Sequence, residues 1–195
     1  MSFIIWILIL AASYFIGSIP NGLIFGKLFW KTDLREHGSG NIGATNAWRV
    51  LGKKAGILIF VLDFLKGVIP VLLASHFIGT PWSMVIAGIM AIAGHVFSIF
   101  TAFQGGKAVA TGLGIITVMM PKIALIVFVV WLAIVMITRY VSLGSVIASI
   151  LVPILTVVFE YPLPFFDFGV FTATLIVLRH RPNLKRLLNG TENKI

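Results

Sequence analysis

Three stretches of this chain concentrate residues able to hold a phosphate. The first reads Thr32-Asp33-Leu34-Arg35-Glu36-His37-Gly38-Ser39-Gly40-Asn41-Ile42-Gly43-Ala44-Thr45-Asn46-Ala47-Trp48-Arg49. Glycines at 38, 40 and 43 let the backbone adopt conformations in which consecutive N–H groups point at one anion. Ser39, Asn41, Thr45 and Asn46 add neutral hydrogen-bond partners, and Arg49 can fork two phosphate oxygens. An ordinary turn needs one or two such residues, and here they crowd a single segment. The pattern predicts an anion cradle.

The second stretch runs Gly94-His95-Val96-Phe97-Ser98-Ile99-Phe100 and then Phe103-Gln104-Gly105-Gly106-Lys107-Ala108-Val109-Ala110-Thr111. A glycine pair and a lysine opening an apolar helix bring a helix dipole and a charge to one ligand. The Walker A pattern is excluded, because Ala108 follows Lys107 where a magnesium-holding Ser or Thr belongs. This predicts phosphate binding without nucleotide hydrolysis. His95 is either a packing residue or a ligand contact. Acyltransferases that pair His with an Asp five positions on are excluded by Phe100. The third stretch is the basic tail His180-Arg181-Pro182-Asn183-Leu184-Lys185-Arg186-Leu187-Leu188-Asn189-Gly190-Thr191-Glu192, with Gly190 as a helix stop. His180 falls where the last apolar run emerges. Ser39 with Asp33 and a histidine is the alternative nucleophilic reading, but Gly38-Ser39-Gly40 is not a strand–turn–helix nucleophile elbow. No cysteine is present, so thiolate chemistry is excluded. The sequence calls for no metal and no cofactor.

These loops must be carried by membrane helices. The 195 residues are 59% hydrophobic and only 11% charged, with a mean hydropathy of +1.07, whereas soluble domains are about 25% charged. About 20 apolar residues cross the hydrocarbon core as a helix. Apolar runs predict crossings at 3–25, 55–77, 82–103, 109–120, 123–138, 143–159 and 165–178. The fourth is short, ends at Pro121, and is expected to start inside the membrane or pair with the fifth as a re-entrant hairpin. The first lacks a basic flank and reads as a retained span. Thirteen of the fifteen Lys and Arg residues fall on one side of this arrangement, leaving Lys66 in a span and Lys122 opposite. The positive-inside rule then puts the N-terminus outside and the C-terminus in the cytoplasm. Asp63 and Lys66 lie three apart on one helix face, and should turn inward toward each other. The fold expected is an all-α, polytopic helical bundle of about seven transmembrane helices, forming one membrane domain over 1–195.

The three motifs resemble those of the bacterial acyl-phosphate:glycerol-3-phosphate acyltransferases (the PlsY family). The match runs from Gly17-Ser18-Ile19-Pro20 through Asn46 and Arg49, from Gly94-His95 to Ala110-Thr111, and from His180-Arg181 through Asn183 and Arg186-Leu187 to Gly190-Thr191-Glu192. Two positions depart from the family pattern: Ser98 stands where proline is common, and Ala108 where glycine is common. The resemblance implies a bacterial inner-membrane enzyme with its active site on the cytoplasmic side. It would move a fatty acyl group from acyl phosphate to the 1-hydroxyl of glycerol 3-phosphate, giving lysophosphatidate and inorganic phosphate. On this reading Lys107, Arg49, His180 and Asn183 take glycerol phosphate. Gly38, Ser39, Gly40, Asn41 and Thr45, with the Gly105 and Gly106 amides, take the acyl-phosphate group. Asn46, His95 and Arg186 are further substrate contacts. The general base is a substrate phosphate or a histidine. Membrane lipids are the other expected partners, and no nucleic acid is. A transporter of phosphorylated metabolites would use the same cradle, but needs polar residues through the spans, which are sparse here.

Overall fold

A computed structural model describes residues 3–195. All regular structure among them is helical. The chain forms two compact units, Met1–Val118 and Met119–Ile195.

In the first unit, α1 (Phe3–Ser18) is followed after a 42° bend by α2 (Asn21–Trp30). The first expected crossing, written as one run over 3–25, is therefore two helices. Pro20 supplies the reason: it has no N–H to continue the ladder, and its ring disfavours helical geometry at Ile19. A 3-10 turn (Leu34–Glu36) and α3 (Ala44–Leu51) carry the glycine-rich stretch. They lead to α4 (Lys53–Phe77), α5 (Pro81–Val96), a second 3-10 turn (Ile99–Thr101) and α6 (Val109–Met119). α1 packs along α5 and α4, α4 packs along α5, and α2 and α3 rest on α4. α6 is locked to α4 backbone to backbone. A Cβ on Gly67 would overlap the Thr111 carbonyl oxygen, and one on Gly114 would overlap that of Phe64. Such small-residue crossings suit a solvent in which apolar side chains gain nothing by meeting.

Asp63 and Lys66 of α4 are 4% and 6% exposed and form an ion pair of 2.8 Å, as their spacing predicts. Under the glycine-rich stretch, Leu34, Ala47, Ala55 and Ile59 form a closed core with Trp30, Val50 and Leu51 at its edge.

The second unit chains α7 (Pro121–Thr138), α8 (Val141–Val158) and α9 (Leu163–Arg179), each packed on the next, with α10 (Arg181–Leu188) turned back onto α8 and α9 after a 58° bend. Ser145, Ser149 and Thr156 line the buried side of α8, each hydroxyl donating to its own helix one turn back. The outer side of α7 is apolar and exposed, with Met136 73% and Ile137 83% accessible.

This is an integral membrane protein built from helices. Among the described residues, four elements are long and apolar enough to cross: Lys53–Phe77, Pro81–Thr101, Pro121–Thr138 and Val141–Val158. The bent pairs α1–α2 and α9–α10 raise the number to six. The expected fourth crossing is α6, with 11 residues. At 1.5 Å per residue it reaches about 16 Å of a core about 30 Å thick.

Candidate functional site

The glycine-rich stretch is a rigid loop, laced by its own polar groups. It opens on Asp33, whose carboxylate caps the first 3-10 turn by accepting from the Arg35 backbone N–H at 3.0 Å. The same carboxylate accepts from Arg35 Nε (3.0 Å) and Nη2 (2.6 Å) and pairs with Lys27 Nζ at 3.0 Å. The Arg35 hydrogen bond holds the Asp33 carboxyl far below the usual range, with Lys27 helping against a smaller opposing effect of burial. His37 Nδ1 donates to the Asp33 carbonyl oxygen at 3.0 Å. Asp33 and His37 are thus committed elsewhere, and do not form the acid–base relay that a nucleophilic Ser39 would need.

Asn46, 2% exposed, is the knot of the loop. Its Oδ1 accepts from the Ser39 N–H at 2.8 Å, and its Nδ2 donates to the carbonyl oxygens of Leu34 (3.1 Å) and His37 (3.0 Å). Gly38 holds a φ of +60°, and a Cβ there would run into Asn46 Oδ1. The Gly40 N–H donates to the His37 carbonyl at 3.1 Å, and the Gly43 N–H to Asn41 Oδ1 at 2.9 Å. α3 starts directly after. Ser39 is exposed on the loop, Thr45 opens α3, and Arg49 follows one turn later. The first turn of a helix carries partial positive charge, so the Thr45 end of α3 favours an anion.

The second motif hangs from the end of α5. Tyr14 Oη donates to the Phe97 carbonyl at 2.9 Å and Ser98 Oγ to the Ser18 carbonyl at 2.6 Å, tying the segment to α1. Ser98 has φ −66°, the angle that proline fixes, so serine keeps the backbone of the common residue and adds a hydrogen bond. The Gly105 N–H donates to the Val96 carbonyl at 3.0 Å, and the Gly106 N–H to that of His95 at 3.1 Å. These two amides, expected to cradle the acyl phosphate, instead close the loop onto the last turn of α5. Gly106 lies flat against His95, where a Cβ would overlap Nε2. His95 is 6% exposed, and its Nδ1 shares a hydrogen bond of 3.1 Å with the buried Thr111 Oγ1. The loop therefore leaves Lys107 half-buried just ahead of α6, followed by Ala108 at φ +62°.

In the second unit, Glu192 gathers the tail. Its Oε1 accepts from Ser142 Oγ (2.8 Å) and Asn183 Nδ2 (2.6 Å), and its Oε2 accepts from Arg186 Nε (2.7 Å). Burial alone would raise the Glu192 carboxyl. The three hydrogen bonds and the Arg186 charge outweigh burial and bring it below its ordinary 4.5. The Ile195 N–H then donates to the Arg139 carbonyl at 3.0 Å, strapping the chain end over the α7–α8 turn. His180, 4% exposed, sits at the α9–α10 bend with Nδ1 donating to the Ile176 carbonyl at 2.8 Å. That fixes Nε2 as the lone-pair nitrogen of the neutral ring.

The sequence profile of the glycerol-3-phosphate acyltransferase family matches residues 7–190, across both units. The chain belongs to the glycerol-3-phosphate acyltransferase family. Glycerol-3-phosphate acyltransferase 2 of Bacillus anthracis is 46% identical over 193 residues, covering 97% of this chain and 98% of that one. The Moorella thermoacetica protein of the same name is 44% identical over 190 residues, covering 97% of each. The crystal structure of PlsY (YgiH), an integral membrane glycerol 3-phosphate acyltransferase, superposes in its glycerol 3-phosphate form with a TM-score of 0.94. It is 42% identical, covering 97% of this chain and 95% of that one. The lysophosphatidic acid form gives 0.91 at 41% identity, with the same coverage. The chain is accordingly a membrane acyltransferase.

Within this acyltransferase the expected site residues separate by what they touch. Gly38, Ser39, Gly40, Asn41, Thr45 and Arg49 are brought together around one loop and the start of α3. His95, Gly105, Gly106 and Lys107 gather at the end of α5. The Asn46 amide and the Gly105 and Gly106 N–H groups bond to the enzyme's own backbone. Arg186 commits Nε to Glu192, and Asn183 commits an amide hydrogen to the same carboxylate. The sequence places Glu192 in the third motif without a role, and gives no sign of Ser142 or of Asn21, which donates to Asp63 Oδ1 at 2.9 Å. For Glu192 the signal of a structural role is its place as an acid in an otherwise basic tail.

Proposed function

We propose that this enzyme transfers a fatty acyl group from acyl phosphate to the 1-hydroxyl of sn-glycerol 3-phosphate, at the cytoplasmic face of a bacterial inner membrane. The products are 1-acyl-sn-glycerol 3-phosphate and inorganic phosphate, the opening step of phospholipid synthesis. The observation that carries the reading is the near end-to-end likeness to a relative solved in a glycerol 3-phosphate form and a lysophosphatidic acid form. Those two molecules differ by one acyl group, so they bracket a single acyl transfer. The polypeptide supplies what that reaction needs: apolar helices for the chain, and basic, glycine-bearing loops for the phosphates.

In the chemical step the glycerol hydroxyl oxygen bonds to the acyl carbonyl carbon, and the carbonyl–phosphate C–O bond breaks. The hydroxyl proton ends on a phosphate oxygen. A phosphate dianion has its second pKa at about 6 and can accept that proton itself. Phosphate is a good leaving group, so no protein nucleophile is required. Positioning and charge stabilisation at the carbonyl oxygen remain to be supplied. We assign the donor phosphate to Ser39 and the Gly38–Asn41 backbone, with the Thr45 end of α3. Lys107 and Arg49 take glycerol phosphate. His180 and Asn183, in the second unit, are assigned substrate contacts there, and the buried His95 orients Gly106 and so Lys107.

The test is phosphate release from palmitoyl phosphate by purified enzyme, with and without glycerol 3-phosphate. Acceptor-dependent release that yields lysophosphatidate and drops by about 10²–10³ in Lys107→Ala is expected, the usual effect of removing one preorganised donor. No release from folded protein would overturn the donor assignment, and activity of Lys107→Ala within a few-fold of the parent would remove Lys107 from the site. Loss of turnover with binding intact in His95→Ala or His180→Ala would replace the substrate phosphate by a histidine as base.

A further inference from the structure

Two charges buried in the first unit take no part in the chemistry above, and their contacts lead to the glycine-rich loop. Asp63 and Lys66 face each other on α4 with Nζ 2.8 Å from Oδ1. Neither is satisfied by the other alone. Lys66 Nζ also donates to the carbonyl oxygen of Ile19 at 3.0 Å, and Asn21 Nδ2 donates to the same Asp63 oxygen at 2.9 Å. Ile19 is the residue before Pro20, and Asn21 is the first residue of α2. The ion pair therefore grips the chain on both sides of the α1–α2 break.

From that anchor α2 runs directly against the loop. Gly22 has no room for a Cβ, because the Ile42 carbonyl oxygen fills the space. One turn later the Thr32 N–H donates to the Gly26 carbonyl at 3.1 Å, and Lys27 Nζ meets Asp33 at 3.0 Å. Ile42 lies between Asn41 and Gly43, whose own hydrogen bond shapes the approach to α3. A continuous series of polar and close backbone contacts thus connects a charge pair buried in α4 to residues 39–43.

We propose that Asp63 and Lys66, with Asn21, are positioning residues for the phosphate-binding loop. By setting the angle at which α2 leaves α1, the pair sets where the loop backbone stands against Asn46 and α3. The proposal rests on the reading above in one respect, that this loop holds the donor phosphate. A pair that served stability alone would be replaceable: apolar residues of like volume are often neutral or stabilising at such sites, whereas removing one partner strands a charge. This contrast separates the two roles.

The experiment compares the parent, the double variant Asp63→Leu/Lys66→Met and the single variant Asn21→Ala. The double variant leaves no unpaired charge and is expected to melt within a few degrees of the parent. Its kcat/KM should nevertheless fall by about 10- to 100-fold, carried by KM for palmitoyl phosphate, the scale expected when a site is displaced by about 1 Å. Amide hydrogen exchange over residues 38–46 should accelerate, while exchange in the interior of α5 stays slow. Asn21→Ala keeps the ion pair, severs its link to α2, and should move KM and exchange in the same direction by less. If the double variant does not fold, Asn21→Ala decides the matter. Parental KM and parental exchange over 38–46 in the folded variants would overturn the proposal. If the parent shows no turnover of acyl phosphate, the functional reading fails, and the exchange comparison still tests the positioning role.

Discussion

Replacing Glu192 by glutamine keeps the size of the side chain and removes its charge, and the geometry indicates what that costs. Asn183 and Ser142 both donate to Oε1, which the amide oxygen of glutamine can still offer. Those two bonds change from charge-assisted to neutral, each losing about 1 kcal/mol. Arg186 fares worse. Its Nε, 2.7 Å from Oε2, would face an amide NH₂, a donor against a donor. The Arg186 side chain is 37% exposed, so water screens that loss to no more than about 1 kcal/mol. Glu192→Gln should therefore destabilise the second unit by about 2–3 kcal/mol.

The same variant has a pH signature. The Glu192 carboxyl is lowered below 4.5 in the folded chain, despite burial, by the bonds from Asn183, Ser142 and Arg186. A depressed acid stabilises the fold fully above its unfolded pKa and loses that contribution as pH falls through the folded one. The parent should therefore lose thermal stability from about pH 5 downward. The glutamine variant should start lower and lack this component of the slope. The assay is thermal unfolding in detergent across pH 3.5–7, followed by tryptophan emission and by helix content. A variant that melts with the parent at pH 7, or that keeps the parent's acid slope, would refute the role given to this carboxylate.

Three further changes test the loops. Ala108 holds φ +62°, a left-handed conformation that costs a non-glycine residue about 1–2 kcal/mol, so Ala108→Gly should raise the melting temperature with activity kept. Asn46→Ala removes the three hydrogen bonds that lace residues 34–39. It should cut turnover by about 10² through loss of loop geometry, with helix content preserved by circular dichroism. Gly106→Ala would put a methyl into the imidazole of His95. It should cost about 1–3 kcal/mol of stability and raise KM for glycerol 3-phosphate by displacing Lys107, as steady-state kinetics would show.

Much of this fold is legible in the sequence because lipid imposes a single solution on the backbone. Each long apolar run had to become a helix, and α4 and α6 through α9 begin and end within a few residues of the runs, whereas α5 stops at Val96 and the rest of the run expected over 82–103 is loop and 3-10 turn. Asp63 and Lys66 were readable for the same reason: two charges three residues apart in a span can only meet each other or strand. The break at Pro20 was harder to see, because the apolar run continues through it to Phe25 and hydropathy alone does not register a missing N–H. The roles of Gly105, Gly106 and Asn46 were legible only in part. Composition shows that a segment is rich in hydrogen-bonding groups, but not whether those groups face a ligand or their own chain. Glu192 illustrates the remaining limit, since Ser142 lies fifty positions away and only the folded chain brings the two together.

The internal use of these donors bears on the mechanism. A loop whose N–H groups all waited for substrate would be floppy without it, and binding would have to pay the ordering entropy each time. Here Asn46 satisfies Ser39 and two carbonyls, Gly105 and Gly106 close onto α5, and Arg35 and Lys27 neutralise Asp33. What remains for the substrate is a formed surface rather than a set of loose donors. An acyl phosphate already carries its activation in the mixed anhydride, so the enzyme gains little from a nucleophile and much from preorganised placement. The placing residues should therefore outrank any single acid or base in mutational effect. Replacing Asn46, whose amide is bonded to Ser39, Leu34 and His37, should cost turnover as much as or more than replacing the exposed Ser39 hydroxyl by alanine. The opposite order, measured on the two variants in one assay, would refute this ranking.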